Sequence, residues 1–449
     1  MSFITKKGFK EESKHIYKLG LPVAVAQLGI IVQGLADTIM LGHHSSQELA
    51  AAGFVNAMLL MGILLSLGFS MGAISQIGKL YFLNNTARIV SVLKSSLLAN
   101  FKQVMLLTVV MSSLIFLLPH LGQPVELLPM MKIYLLILLP SLPLFFIINA
   151  GRQFYDSINH TKVAMWTMII GNVWNVIFNW FLIFGKCGFP EMGIEGAAWA
   201  TLSSRIIMAL MFILVFVFNK RYKKYRLVWH SSKSTREDIR LLRKIGWPMA
   251  IQMGLESASW SLCSIFLGWI GANALAAHQV MVNVSGVIFM FYVGVGEAIS
   301  IRVSNYKGIN DMTRVRNVSN TGFLLIMMIG FVLSITMWVF RNSIGFIFTN
   351  DKDVSFIVAT MILPMILYQF GDGLQVTYSN TLRGLGDAFK LMKYSLIAYM
   401  AISLPLSYLF GIVLEGGAAG VWMAFPFGLT TAGILYYRRF RKISIIPGT

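Results

Sequence analysis

Apolar residues run along this chain in long unbroken stretches, and the polar residues between them gather in short blocks. Twelve such stretches can be drawn, at 19–42, 52–78, 92–118, 130–149, 162–184, 196–218, 246–270, 279–302, 317–340, 356–379, 391–412 and 418–437. Each is long enough to cross ~30 Å of hydrocarbon, which takes roughly 20 helical residues. None shows the two-residue alternation of a barrel strand, so the pattern predicts an all-α integral membrane protein with twelve transmembrane helices.

The first and seventh stretches are the same segment written twice. With Pro22 set over Pro248, 226 residues apart, Gly20 meets Gly246 and Ala24 meets Ala250. Ile39-x-Leu41-Gly42 then meets Ile265-x-Leu267-Gly268, and Leu49-Ala50-Ala51 meets Leu275-Ala276-Ala277. Two parallel halves of six helices are the pattern of a transporter that rocks about a central site. The copies differ where charge is concerned: Asp37 faces Cys263, and Glu256 faces Ile30. The halves are read as 1–218 and 245–449, joined by a basic linker, 219–244. In that linker, Thr235 followed by apolar positions at helical spacing predicts an N-capped amphipathic helix that leads into the seventh span.

Composition agrees: 56% of residues are hydrophobic and 12% charged, about half the charged fraction of a soluble domain. The net charge of +19 suggests a nucleic-acid partner until its placement is considered. Lys6, Lys7, Lys10, Lys14 and Lys18 precede the first span, and ten Lys or Arg lie in 219–244 against Glu237 and Asp238. Every second turn is basic and the turns opposite are acidic or mixed. This is the positive-inside pattern with both termini cytoplasmic and no nucleic acid expected; a polynucleotide or anionic-lipid partner for 219–244 is a weaker reading than this topological one. Cys187 and Cys263 are too far apart in sequence to suggest a disulfide or metal framework. No cleavage site follows the leading lysines, so the N-terminus is expected to remain attached. His43, His44 and His278 lack ligand spacing and no nucleotide fingerprint occurs, so neither an enzyme nor a cofactor is expected. No filter-like sequence points to a channel.

Acidic residues inside apolar spans are costly and mark ion or substrate paths. Asp37, Glu256 and Asp372 are of this kind, with no base within a helical turn of any of them. Asp37 lies roughly 27 Å up the first span, and Asn175 and Asn179 lie roughly 20 and 26 Å up the fifth. With Thr201 near the outer end of the sixth, they can share one layer. A carboxylate, two amides and a hydroxyl suit an alkali cation, and a lone carboxylate suits a proton. Hydrogen bonding between helices is an equal reading of the asparagine pair. Glu256 and Asp372 lie lower and at comparable depth, with Tyr368 one turn before Asp372. Carboxylate and aromatic face together suit an organic cation or a metal ion such as Na⁺, although Tyr368 alone would read as packing. Arg205, in the sixth span, is an odd intramembrane base, pairing with an acid or snorkelling outward. Arg152 with Asp156, and Arg383 with Asp387, are spaced to pair across one helical turn and are read as structural.

These residues carry a resemblance to the multidrug and toxic compound extrusion (MATE) family, NorM branch, over the whole chain. Its motifs are Pro22, Asp37-x-x-Met40-x-Gly42, Leu49-Ala50-Ala51 and Pro190-x-x-Gly193-x-x-Gly196 running to Thr201. Gly246-x-Pro248, Glu256, Ala276-Ala277-His278-Gln279 and Arg383-Gly384-x-Gly386-Asp387 complete them. Ser157-Ile-Asn159-His160 departs from the Gly-Leu-Gly-His usual at that turn. The resemblance implies two pseudo-symmetric six-helix lobes in a V shape, in the inner membrane of a bacterium, acting as a monomer. It implies export of cationic, amphipathic drugs and dyes in exchange for Na⁺ or H⁺. Asp37, Asn175, Asn179 and Thr201 then match the family's first-lobe cation site, and Glu256, Tyr368 and Asp372 the second-lobe site. A flippase for lipid-linked precursors is the alternative, and it should place basic rather than acidic side chains in its cavity.

Overall fold

The computed structural model of the chain describes residues 6–120, 124–349 and 351–445; of the leading basic block, the side chains of Lys6 and Lys7 lie outside that description. Helices make up nearly all of it. They run in chain order as α1 (Lys6–His44), α2 (Ser46–Phe82), α3 (Thr86–His120) and a bent α4 (Val125–Ser141 with Phe145–Ser157). Then come α5 (Thr161–Ile183), α6 (Gly193–Phe218), α7 (Arg236–Ile270), α8 (Ala272–Gly308), α9 (Met312–Val339) and α10 (Lys352–Leu385). α11 (Ala388–Val413) and α12 (Gly417–Ser444) close the chain. Each of the twelve predicted stretches falls on one of these helices.

Among the described residues, ten helices are long and apolar enough to cross a membrane, and the bent α4 makes eleven. α7 stays outside that set because Gln252, Glu256 and four serines interrupt its apolar run. The helices also outrun the apolar stretches. α1 begins at Lys6, well before its predicted start, as a polar helix that turns apolar at Leu19. The amphipathic segment before the seventh span is likewise no separate helix. Thr235 Oγ1 accepts the Asp238 N–H at 3.1 Å as an N-cap, and the helix continues past Pro248 to Ile270. α4 bends by 46° where Pro140 and Pro143 withhold two backbone donors in succession.

Contacts divide the chain into two compact units. One holds the described residues up to Ala24 together with those from Ile251 onward; the other is Val25–Ala250. The divisions fall two residues after Pro22 and Pro248, inside α1 and α7, and not in the 219–244 linker.

Within Val25–Ala250 the linker is docked onto the start of α3. Arg88 holds the buried Asp238 carboxylate with two bonds, 2.8 and 3.2 Å, and Ser91 Oγ donates to it at 3.1 Å. Lys94 Nζ donates to the carbonyls of Trp229 and Ser232. Beneath lies an aromatic core of Phe154, Tyr155, Phe212, Tyr222 and Tyr225, in which the Tyr155 hydroxyl donates to the Phe212 carbonyl at 3.0 Å. Burial, helped by the charges of Arg221 and Lys224, holds His160 below the ordinary imidazole value. Asn159 in the preceding turn has φ +62°. Asparagine is the residue that best replaces glycine in this left-handed region, so the departure from Gly-Leu-Gly-His keeps the turn.

In the other unit, the first residues of α1 lie against α8. A Cβ on Gly294 would sit 2.7 Å from both the Ala24 Cβ and the Gly20 carbonyl oxygen. Small residues permit this backbone approach, as is common between membrane helices. Nearby, Arg302 of α8 donates to both Glu12 carboxylate oxygens, at 3.0 and 2.8 Å.

Candidate functional site

Asp37, Asn175, Asn179 and Thr201 meet within the Val25–Ala250 unit. Asn175 and Asn179 stand one turn apart on α5, both fully buried. The Asn179 amide nitrogen donates to Asp37 Oδ1. The Asn175 amide is satisfied on both sides when its nitrogen donates to the same oxygen at 2.8 Å and its oxygen accepts from the Thr201 hydroxyl at 3.3 Å. Two N–H donors from adjacent turns therefore converge on one carboxylate oxygen. Sequence reasoning left both amides either as oxygen ligands or as hydrogen-bonding groups between helices; here both donate to the carboxylate, which when ionised only accepts. Asn179 Oδ1 is buried with no hydrogen-bond partner. A cation arriving at Asp37 would find that oxygen and the carboxylate, and would compete with the amide donors for the latter.

Arg205 stands near but does not join this set. Its guanidinium donates to Ser141 Oγ and lies 4.8 Å over the Phe145 ring. Both partners come from the break in α4, so the bend that the two prolines create is what holds the base. Its charge acts on Asp37 from there.

The second set lies within the other unit. Glu256 of α7 accepts from Gln252 Nε2 at 3.0 Å, and the Gln252 oxygen accepts from Arg383 Nη2 at 2.7 Å. Glu256 also takes a hydrogen bond from the Tyr399 hydroxyl, which accepts from Gln375 Nε2 at 3.1 Å. The donors run in one direction, from Arg383 through Gln252 and from Gln375 through Tyr399, and end on the carboxylate. Asp372 is treated differently. It is 2% exposed, and its Oδ2 has no hydrogen-bond partner. Glu256 acts on it as a like charge. Tyr368 lies within electrostatic reach of both acids, its hydroxyl accepting from Ser285 at 3.3 Å. Its ring is packed edge-on against Trp260 and Phe425, so it serves as packing and as a polar edge together.

Gln252, Arg383, Tyr399 and Gln375 were missed by sequence reasoning. Gln252 was readable, being one turn before Glu256 on the same face. Arg383 is eleven residues beyond Asp372, three turns up the same face of α10. The pairing of Arg383 with Asp387 is corrected. Gly386, at φ +75°, ends the helix between them, so Asp387 pairs with Arg439 at 2.6 Å and Arg383 turns to Gln252. Arg152 and Asp156, inside an unbroken helix, do lie together at 3.7 Å. Tyr399 sits in a π-helical stretch, Leu396–Ser403, whose wider turn shifts the face that helical spacing would assign. His278 is fixed on both ring nitrogens, by the Trp422 indole N–H at 3.1 Å and by Ser264 Oγ at 2.9 Å. Among the described residues no group of three His, Cys, Asp or Glu is placed to hold a metal ion.

The chain and its fold are matched in known proteins. The MatE family model fits residues 22–181 and 248–409, most of the chain and both halves of the repeat. The chain is 27% identical to the multidrug resistance protein NorM of Photobacterium profundum, over 97% of this chain and 96% of that one. It is 26% identical to NorM of Vibrio cholerae, over 96% and 95%. Its fold superposes on a eukaryotic MATE transporter with a TM-score of 0.85 at 17% identity, covering 98% of this chain and 100% of that one. A MATE transporter of Vibrio cholerae superposes with a TM-score of 0.87 at 17% identity, covering 98% of both. With both halves of its repeat matched by the family model, this chain belongs to the MatE family.

Proposed function

We propose that the chain is a secondary active efflux transporter that exports cationic, amphipathic drugs and dyes in exchange for Na⁺ or H⁺. It does no covalent chemistry on its cargo. The observation that carries this reading is the pair of buried acid sets, one per unit, each with an oxygen left without a partner. Asn179 Oδ1 beside Asp37, and Asp372 Oδ2 beside Glu256, are acceptors with nothing to accept from. Such groups are stabilised by an arriving cation, and it is costly to leave them bare.

The two acid sets differ in what a cation must displace. At Asp37 it competes with two amide donors; at Asp372 it meets none. Ion and drug are both cations, so occupation of a set by one disfavours the other through charge. Exchange follows when the two access states favour different occupants. The similarity to NorM proteins supports the drug-exporting reading. A flippase is not favoured, because the bases nearest the acids, Arg205 and Arg383, are already committed to Ser141 and Gln252. The distribution of Lys and Arg supports insertion in a bacterial inner membrane with both termini cytoplasmic, and the chain is taken to act as a monomer.

Reconstituted vesicles loaded with ethidium, with Na⁺ and pH gradients imposed separately, test the proposal. Efflux driven by at least one inward gradient is expected. Efflux that ignores both would end the antiport reading.

A further inference from the structure

We infer that the junction of the linker with α3, α4 and α6 is a binding site for an anionic phospholipid of the phosphatidylglycerol class, distinct from the acid sets. A cavity of about 480 Å³ opens there. It is lined by the buried Phe154, Tyr155 and Phe212, with Leu97 and Ile213 beside them. Tyr155 and Phe212 are stacked and hydrogen-bonded to one another, so this lining is formed in advance of any ligand.

Three observations select a lipid as the occupant. The cavity opens among Ile213 and Val217, which are 42% and 45% exposed on a membrane-crossing helix. On such a helix an exposed apolar side chain faces hydrocarbon, so an acyl chain reaches the cavity without crossing water. Arg226, Trp229 and His230 of the linker complete its lining and bring the polar groups to it. An indole at the edge of an apolar slot marks the headgroup level.

Charge then chooses the headgroup. Arg226 Nη1 donates to the carbonyls of Phe216 and Asn219 at 2.7 and 2.9 Å, which fixes the guanidinium and leaves Nε and Nη2 for an outside acceptor. Lys220, Arg221, Lys223 and Lys224 surround it in sequence. The buried acid of the linker, Asp238, is consumed by Arg88. A cationic drug is therefore repelled from these groups, and a phosphate diester is attracted. Basic pockets between membrane helices on the cytoplasmic side have this ligand chemistry in general. The bound lipid would tie the linker to α4 and α6 from the membrane side. The site does not depend on the transport proposal.

Trp229 provides the reporter. The full chain in phosphatidylcholine nanodiscs is titrated with phosphatidylglycerol, or with more phosphatidylcholine, carrying brominated acyl chains. The component of tryptophan quenching lost in Trp229→Phe is followed. Brominated phosphatidylglycerol is expected to quench that component at a several-fold lower mole fraction than phosphatidylcholine. Arg226→Gln should reduce the preference about fivefold, the worth of one basic residue near anionic lipid, while Arg226→Lys retains most of it. His230→Gln, on an exposed side chain, should weaken it without disturbing the fold. Equal quenching by the two lipids would mean ordinary annular lipid and would overturn the site. So would a preference unchanged in both Arg226→Gln and His230→Gln.

Discussion

Replacing Gln252 with leucine tests the donor chain onto Glu256. Gln252 is fully buried and leucine is close to it in volume, so the change removes the amide and little else. Glu256 loses one donor at 3.0 Å, and Arg383 loses its acceptor at 2.7 Å. A hydrogen bond to an ionised group contributes about 1.5–3 kcal/mol and one to a neutral group about 0.5–1.5 kcal/mol. The donor therefore stabilises the bare carboxylate over the cation-loaded one by about 1–1.5 kcal/mol. Without it, cations bind Glu256 about 5- to 13-fold more tightly. In the vesicle assay the ion concentration for half-maximal drug exchange should fall by that factor. Maximal turnover should fall too, because the ion leaves more slowly. The unpaired Arg383 donor should cost about 1–3 kcal/mol of stability in the same variant, readable by thermal unfolding in detergent. An unchanged half-saturating concentration would show that Glu256 does not load the ion. A raised one would show that Arg383 moves onto Glu256 when Gln252 is gone, and that the glutamine separates the two charges instead of linking them.

Asp37→Asn should abolish drug efflux while leaving the protein folded, since an amide can still meet Asn175 and Asn179; full efflux by this variant would remove Asp37 from the mechanism. Gly294→Val places a branched side chain where a single Cβ already lies 2.7 Å from Ala24 and Gly20. It should cost about 1–3 kcal/mol or more, and a variant with an unchanged unfolding midpoint would refute the close approach. Asp238→Asn removes a buried charge held by Arg88 and Ser91. A loss of about 1.5–3 kcal/mol is expected, with proteolysis of 219–244 accelerated and the half-saturating ion concentration unchanged. Protection of the linker equal to that of the original chain would mean that Asp238 does not dock it.

The helices were legible because a continuous apolar run needs no tertiary partner to declare itself. Their ends were not, since polar helix before Leu19 and before Gly246 continues the span beyond its apolar stretch. Pro140 and Pro143 signalled the break in α4, yet the apolar run spoke for a straight span. The Asp37 set was readable as a group: depth placed its members in one layer and i, i+4 spacing put the two asparagines on one face. The direction of their amides was not, because that is fixed by the charge they face. The surroundings of Glu256 depend on residues more than a hundred positions away and on a π-helical turn, neither of which periodicity reveals. Arg383 shows the difficulty most plainly. Its spacing to Asp387 suggested a pair, and one left-handed glycine between them sent each side chain elsewhere.

Counter-movement of the ion tests the central claim most directly. In proteoliposomes with no ion gradient, an outward gradient of an ethidium-like cation should drive Na⁺ or H⁺ inward against its own equilibrium, and Asp37→Asn should abolish the movement. Ion movement in the same direction as the drug, or drug movement with no ion movement, would contradict exchange at the buried acids.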